Sequence, residues 1–178
     1  MSVFHAAIAF VAAQRLAELA WAWHNTARLR RAGAIEADAA GYPLFVLLHA
    51  AWLASLLLIV PAAASPSWPL LGLFALLQPA RLWVVVSLGR WWTTRILTLP
   101  GAPLVHRGPY RWLRHPNYGI VVLEIAVVPL ALGLPLFALI FSLMNAALLA
   151  FRIRVENAAL AKAAPPLGHN RNSCQYSP

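Results

Sequence analysis

From Tyr118 to Phe151 the chain runs for 34 residues with a single charged side chain, Glu124. About 20 apolar residues in a helix cross the roughly 30 Å hydrocarbon layer of a bilayer. Thirty-four are too many for one crossing and, broken by Pro129, Gly133 and Pro135, suit two short or tilted ones. Three further apolar runs precede this one: Val3 to about His24, Tyr42 to Val60 and Trp68 to Leu88. Pro61, Ser65 and Pro66 punctuate the gap between the second and third. With 61% of its residues hydrophobic and 11% charged, the chain does not have the composition of a soluble domain. The sequence therefore predicts an all-α, polytopic integral membrane protein of about five transmembrane helices, the last two forming a helical hairpin.

Charge placement tests that count. Fourteen Lys and Arg residues against five acids give a net charge of +9, which in a soluble chain would point to nucleic acid. Here the basic residues lie between apolar runs and no nucleic-acid module pattern is present, so no nucleic-acid partner is expected. Residues 24–42 hold Arg28, Arg30 and Arg31; residues 89–117 hold Arg90, Arg95, Arg107, Arg111 and Arg114; the tail holds Arg152, Arg154, Lys162 and Arg171. Loops rich in Lys and Arg stay cytoplasmic. Five crossings with an external N-terminus put all of these on the cytoplasmic side, whereas a single long final helix would send the tail charges outward.

Several polar groups fall inside or beside the apolar runs. Gln14, Glu18 and Asn25 lie on one helical stripe of the first run, Arg15 forms an i,i+3 pair with Glu18, and a structural use is favoured for Arg15 and Glu18. Arg81 follows Pro79 in the third run, and its role stays open. The stretch GPYRWLRHPNY at 108–118 ends a long loop and carries His115, Asn117 and Tyr118 to the start of the fourth run. Asn145, Arg152 and Glu156, spaced by seven and four, share one face of the partner helix. In a hairpin the start of the fourth run meets the end of the fifth, so His115, Asn117 and Tyr118 should lie beside Arg152 and Glu156. Glu124, alone at mid-helix, needs a partner, and Asn145 or a loop arginine is expected to supply one. Spacing leaves two readings open, a site for a polar ligand at the membrane face and a buried structural network. There is no GxSxG, HExxH, Walker or dinucleotide-binding pattern. His106, His115 and the lone Cys174 do not make a ligand set, so no metal is expected.

At these residues the chain resembles the isoprenylcysteine carboxyl methyltransferase family, membrane enzymes that use S-adenosylmethionine. The matching elements are GPYRWLRHPNY at 108–118, Glu124, and RIRVENAAL at 152–160, a form of the family's Arg, three residues, Glu-Glu, two residues, Leu. The likeness continues upstream through LGRWWTTRILTLPGAPLVHRGPY and, more weakly, QRLAEL and YPLFVLLHA, covering roughly residues 8 to 160. In this form it is similar to the bacterial branch associated with methylation of alkylpyrones and alkylresorcinols. Two departures stand out: Asn157 replaces the second acid, and the tail AKAAPPLGHNRNSCQYSP is polar and broken by proline.

The resemblance implies an S-adenosylmethionine-dependent O-methyltransferase in a bacterial inner membrane, its active site facing the cytoplasm. It implies one membrane-embedded domain, 1–160, with a cofactor loop at 89–117 and a catalytic hairpin at 118–160; the polar, proline-broken residues 161–178, where the chain departs from the family, read as a disordered tail. Gly108, Pro109, Tyr110, His115, Asn117 and Tyr118 would border the cofactor. Arg152 would hold the acceptor oxygen, Glu156 would orient Arg152 or take a proton, and Glu124 and Asn145 would contact the substrate. The partners expected are a lipophilic small-molecule acceptor and membrane lipids. Methylation of an isoprenylcysteine carboxylate or a phospholipid amine is the neighbouring alternative. A non-catalytic lipid-binding or assembly protein is the alternative of another class, favoured by Asn157 and the broken tail.

Overall fold

A computed structural model of the chain describes residues 3–59, 66–102 and 104–163. Five α-helices dominate them: α1 (Val3–Arg31), α2 (Tyr42–Ile59), α3 (Trp68–Leu88), α4 (Pro116–Ala131) and α5 (Pro135–Ala163). Among the described residues three segments are long and apolar enough to cross a membrane, Tyr42–Ile59, Trp68–Trp91 and Pro135–Ala163. The 16-residue α4 is apolar but shorter, about 24 Å of helix. The 29-residue α1 carries Arg15 and Glu18 in its middle.

Leucine, valine and aromatic side chains from all five helices meet in one core. Ile8 and Val11 of α1, Trp52 and Leu56 of α2, Phe74 of α3 and Val121, Ile125 and Val128 of α4 are buried there, with Phe137 and Phe141 of α5 packed against them. Much of the outer surface is apolar as well: Leu58, Leu76 and Leu143 are exposed, as suits helices surrounded by lipid.

Proline and glycine set the join between α4 and α5, though not where the sequence alone suggests. Pro129 lies inside the last turn of α4 rather than ending it. The helix stops at Ala131, Gly133 takes φ +73°, and the Leu134 amide closes back on the Pro129 carbonyl at 2.9 Å. Pro135 then opens α5, whose far end returns to the start of α4. At the same end of the bundle the Ser67 amide, just before α3, donates to the Ala131 carbonyl at 3.1 Å.

The all-helical expectation misses one element. Ile35–Glu36 (β1) pairs antiparallel with Leu97–Thr98 (β2), with Ile35 opposite Thr98 and Glu36 opposite Leu97. This clip fastens the α1–α2 link to the 89–117 loop, which otherwise holds two short 3-10 turns, Gly89–Trp91 and Gly108–Arg111. Two-residue strands are too short to leave an alternating pattern in the sequence. At the other end, α5 runs to Ala163, three residues past the boundary expected at 160, and the rest of the tail expected to be disordered lies outside the described residues.

Candidate functional site

Two polar clusters lie on α4, separated by about 9 Å of helix. The inner one gathers around Glu124. Its carboxylate, 2% exposed, accepts from Arg15 Nη2, from Arg81 Nη1 at 3.1 Å and from Gln78 Nε2 at 3.3 Å. Glu18 takes Arg15 Nη1 at 3.2 Å and Arg81 through Nε and Nη2, both at 2.5 Å. Two guanidinium and two carboxylate groups thus neutralise one another across α1, α3 and α4. The expected partners of Glu124, Asn145 and a loop arginine, are not the ones it has: two arginines inside the apolar runs reach it first. Arg81, whose role the sequence leaves open, is the member that touches both acids. Asn25 shares the stripe of Glu18 but leaves this cluster, donating to the Gly89 and Trp92 carbonyls at 3.1 and 2.9 Å and so tying α1 to the loop.

The outer cluster forms where the start of α4 meets the end of α5. The Tyr118 hydroxyl donates to Glu156 Oε2 at 2.5 Å and accepts from Arg152 Nε at 3.0 Å. Arg152 also donates from Nη2 to the Thr94 carbonyl at 2.7 Å, and its guanidinium lies 4.9 Å from the centre of the Phe45 ring. That geometry leaves Nη1 without a hydrogen-bond partner among the described residues. The His115 ring stacks on Tyr118 at 5.3 Å, with Nδ1 3.6 Å from Glu156 and Nε2 3.2 Å from Asn157 Oδ1. The residue that replaces the family's second acid therefore holds the outer edge of His115.

His115, Tyr118, Arg152 and Glu156 come together as the spacing predicts. Asn117 stands apart: its Oδ1 is buried and has no hydrogen-bond partner among the described residues. Asn145 is fully buried, two turns inward from Arg152 on the same face of α5, and neither of its amide atoms has a hydrogen-bond partner among the described residues. In a lipid-surrounded bundle each unfilled polar group costs about 1–3 kcal/mol.

The loop motif packs on α3. Gly108, at φ +56°, lies so close to that helix that a Cβ would fall 2.1 Å from Ser87 Oγ, and Pro109 is buried beside it. Arg107 Nε donates to the Ser87 carbonyl at 2.6 Å. Burial, then the Glu156 carboxylate and Tyr118, push the Tyr110 hydroxyl above its usual range, so it stays a neutral O–H at any physiological pH. Thr94 and Phe45 escape a reading of the sequence. Thr94 acts on Arg152 through its backbone carbonyl, which any residue would provide, and Phe45 is one apolar residue among many in its run.

The family model for the isoprenylcysteine carboxyl methyltransferase (ICMT) family matches residues 70–162, which include α4, the loop before it and nearly all of α3 and α5. A curated relative, the uncharacterized protein YpbQ of Bacillus subtilis (strain 168), is 40% identical over 164 residues, 89% of this chain and 96% of the relative. No solved structure matches the chain.

Proposed function

Since the chain belongs to the isoprenylcysteine carboxyl methyltransferase family, whose members are membrane methyltransferases, we propose that it methylates an oxygen of a lipophilic acceptor, with S-adenosylmethionine as donor. The observation that carries this reading is the open valence of the outer cluster: Arg152 is fixed on two sides and, among the described residues, keeps Nη1 unbonded beside the Tyr118–Glu156 pair.

The residues present fit the cofactor on one specific count. Asn117 Oδ1, buried at the start of α4, is an unfilled acceptor suited to an amino group, and His115 and Tyr118 offer a stacked aromatic pair next to it. His115, Asn117 and Tyr118 would hold the group, with Gly108, Pro109 and Tyr110 shaping the loop over it. When bound, S-adenosylmethionine supplies an electrophilic methyl on a sulfonium sulfur. The chain's task is then alignment and exclusion of water. Arg152 Nη1 holds the acceptor oxygen and favours its anionic form, and Glu156, through Tyr118 or directly, receives the hydroxyl proton. The best acceptor class is a hydroxylated alkylpyrone or alkylresorcinol, whose alkyl chain lies among the bundle's exposed leucines. Asn145 offers the acceptor's ring a donor and an acceptor, both unfilled. Glu124, by contrast, is saturated by protein partners and supports the substrate site from behind.

In the same reading α1 and α4 also cross, giving five spans closed by an α4–α5 hairpin, with the loop and the α5 end in the cytoplasm of a bacterial inner membrane. Labelling of Ala32→Cys in a Cys174→Ser background should succeed only from the cytoplasmic side. The activity test is methyl transfer from labelled S-adenosylmethionine to synthetic alkylpyrones, alkylresorcinols, an isoprenylcysteine and a phospholipid amine, using detergent-purified protein. A methyl ether of a phenol or pyrone is the expected product, and an ester or methylated amine would replace the acceptor class. Binding of S-adenosylmethionine by calorimetry should weaken in His115→Ala. Absence of any cofactor binding would favour the non-catalytic reading.

A further inference from the structure

The position of Arg152 depends on a residue far from it in sequence and outside the apolar bundle. Its Nη2 is held by a backbone carbonyl, that of Thr94, at 2.7 Å. A carbonyl in a loop is only as well placed as the loop, and the loop around Thr94 is fixed from one side. The Thr94 hydroxyl meets the Tyr42 hydroxyl at 3.1 Å. The next residue, Arg95, lays its guanidinium 4.0 Å from the centre of the Tyr42 ring and donates from Nη1 to Glu36 Oε1 at 2.6 Å. Thr93 closes the turn by donating to the Arg95 carbonyl at 2.7 Å.

Glu36 is the bridge. Its second oxygen accepts from Arg30 at the end of α1, and its backbone lies in β1 opposite Leu97, with the Ala37 amide donating to Ile96 at 3.0 Å. One carboxylate therefore joins the end of α1 to the loop that carries the Thr94 carbonyl. We propose that Glu36 is a positioning residue for methyl transfer, acting through Arg95, Tyr42 and the Thr94 carbonyl to set the guanidinium of Arg152. The inference rests on the catalytic reading of Arg152 given above.

An ion pair near the surface adds little to overall stability. A displacement of the order of 1 Å at a reacting group, in contrast, lowers rate by up to about a hundredfold. Loss of Glu36 should therefore show in turnover before it shows in the fold.

The experiment compares Glu36→Gln, Arg95→Met and Glu36→Asp with Asp38→Asn in the detergent-purified full chain. Asp38 is the neighbouring control, since among the described residues its side chain serves only the Gly41 amide of its own turn. Glu36→Gln and Arg95→Met should lower kcat about tenfold with unchanged affinity for S-adenosylmethionine, Glu36→Asp should recover part of the loss, and Asp38→Asn should be silent. In an Arg152→Lys background Glu36→Gln should have no further effect on kcat. Equal losses in both backgrounds, or losses that follow melting temperature, would make the clip merely structural and overturn the inference. A second readout needs no turnover: the nitrogen resonance of the Arg152 Nε–H, assigned by its disappearance in Arg152→Lys, should shift in Glu36→Gln and stay in place in Asp38→Asn. If the wild-type protein transfers no methyl group, the catalytic reading fails alone. If that resonance does not move, the positioning inference fails alone.

Discussion

The two polar clusters on α4 use the same materials to opposite ends. Around Glu124, two carboxylates meet two guanidinium groups and a glutamine amide, and both carboxylates are saturated by partners from neighbouring helices. Around Tyr118, one guanidinium and one carboxylate share a phenol, and Arg152 keeps Nη1 unbonded among the described residues. The charges of the first cluster are closed among themselves, although Gln78 Oε1 beside them is buried without a partner among the described residues, and the charges of the second are open. A closed set of charges inside a bundle holds helices in register, while an open one has valence left for something that comes and goes.

The sharpest way to break this contrast is to unpair the closed cluster. Glu124→Ala leaves Arg15 and Arg81 sharing one acid in an apolar interior, and breaking a buried pair from one side costs about 3–5 kcal/mol. Thermal unfolding in detergent should therefore collapse with this variant. Removing one charge of each sign together, as in Arg15→Met with Glu18→Met, should cost less than Glu124→Ala alone. If the double variant proves the worse, the cluster is not acting as a neutral unit.

The same operation on the open cluster should leave the fold standing. Arg152→Ala should keep the wild-type melting temperature within a few degrees and lower methyl transfer by on the order of a hundredfold, which corresponds to about 2.7 kcal/mol of transition-state stabilisation. A loss of stability large enough to explain the loss of activity would erase the distinction between the clusters. Tyr118→Phe is a finer probe, since it removes the hydroxyl through which Arg152 and Glu156 communicate while preserving the ring that stacks on His115. Turnover should fall by about tenfold, with less change in cofactor affinity than in His115→Ala.

The smallest expected effect lies on the surface, in the clip between β1 and β2. Burial alone would raise the Glu36 carboxyl, but hydrogen bonds and charge from Arg95 and then Arg30 outweigh it and hold the group below the usual carboxylate range. A lowered folded-state pKa stabilises the protein above the ordinary value of 4.5, and that contribution is lost as pH falls through the folded one. The melting temperature of wild type should therefore drop more steeply below pH 4.5 than that of Glu36→Gln. Parallel curves would mean that Glu36 is not the group responsible.

How much of this was legible in the sequence follows from the kind of signal each part leaves. The apolar runs fix where the helices lie, and spacing by four and seven puts Asn145, Arg152 and Glu156 on one face. The meeting of His115 and Tyr118 with Arg152 and Glu156 follows from turning the chain back at Gly133. The partners of Glu124 were not legible, because Arg15, Arg81 and Gln78 belong to helices whose order around α4 is a matter of packing. Nor was the clip at Glu36 and Leu97, where two backbone pairs do the joining, nor the grip of the Thr94 carbonyl on Arg152.

The closed cluster also bears on how such a chain is made. Arg15 and Glu18 leave the ribosome early, yet Glu18 finds Arg81 only 63 residues later and Arg15 finds Glu124 only 109 residues later. A charged side chain at the centre of a helix in lipid costs at least about 2.5–3.5 kcal/mol, so α1 gains little from entering the bilayer by itself. In the five-span reading proposed above, the pairing of α1 is thus complete only when α4 has followed it, and a nascent chain truncated before Pro116 would leave Arg15 and Arg81 to share Glu18 without the Glu124 carboxylate.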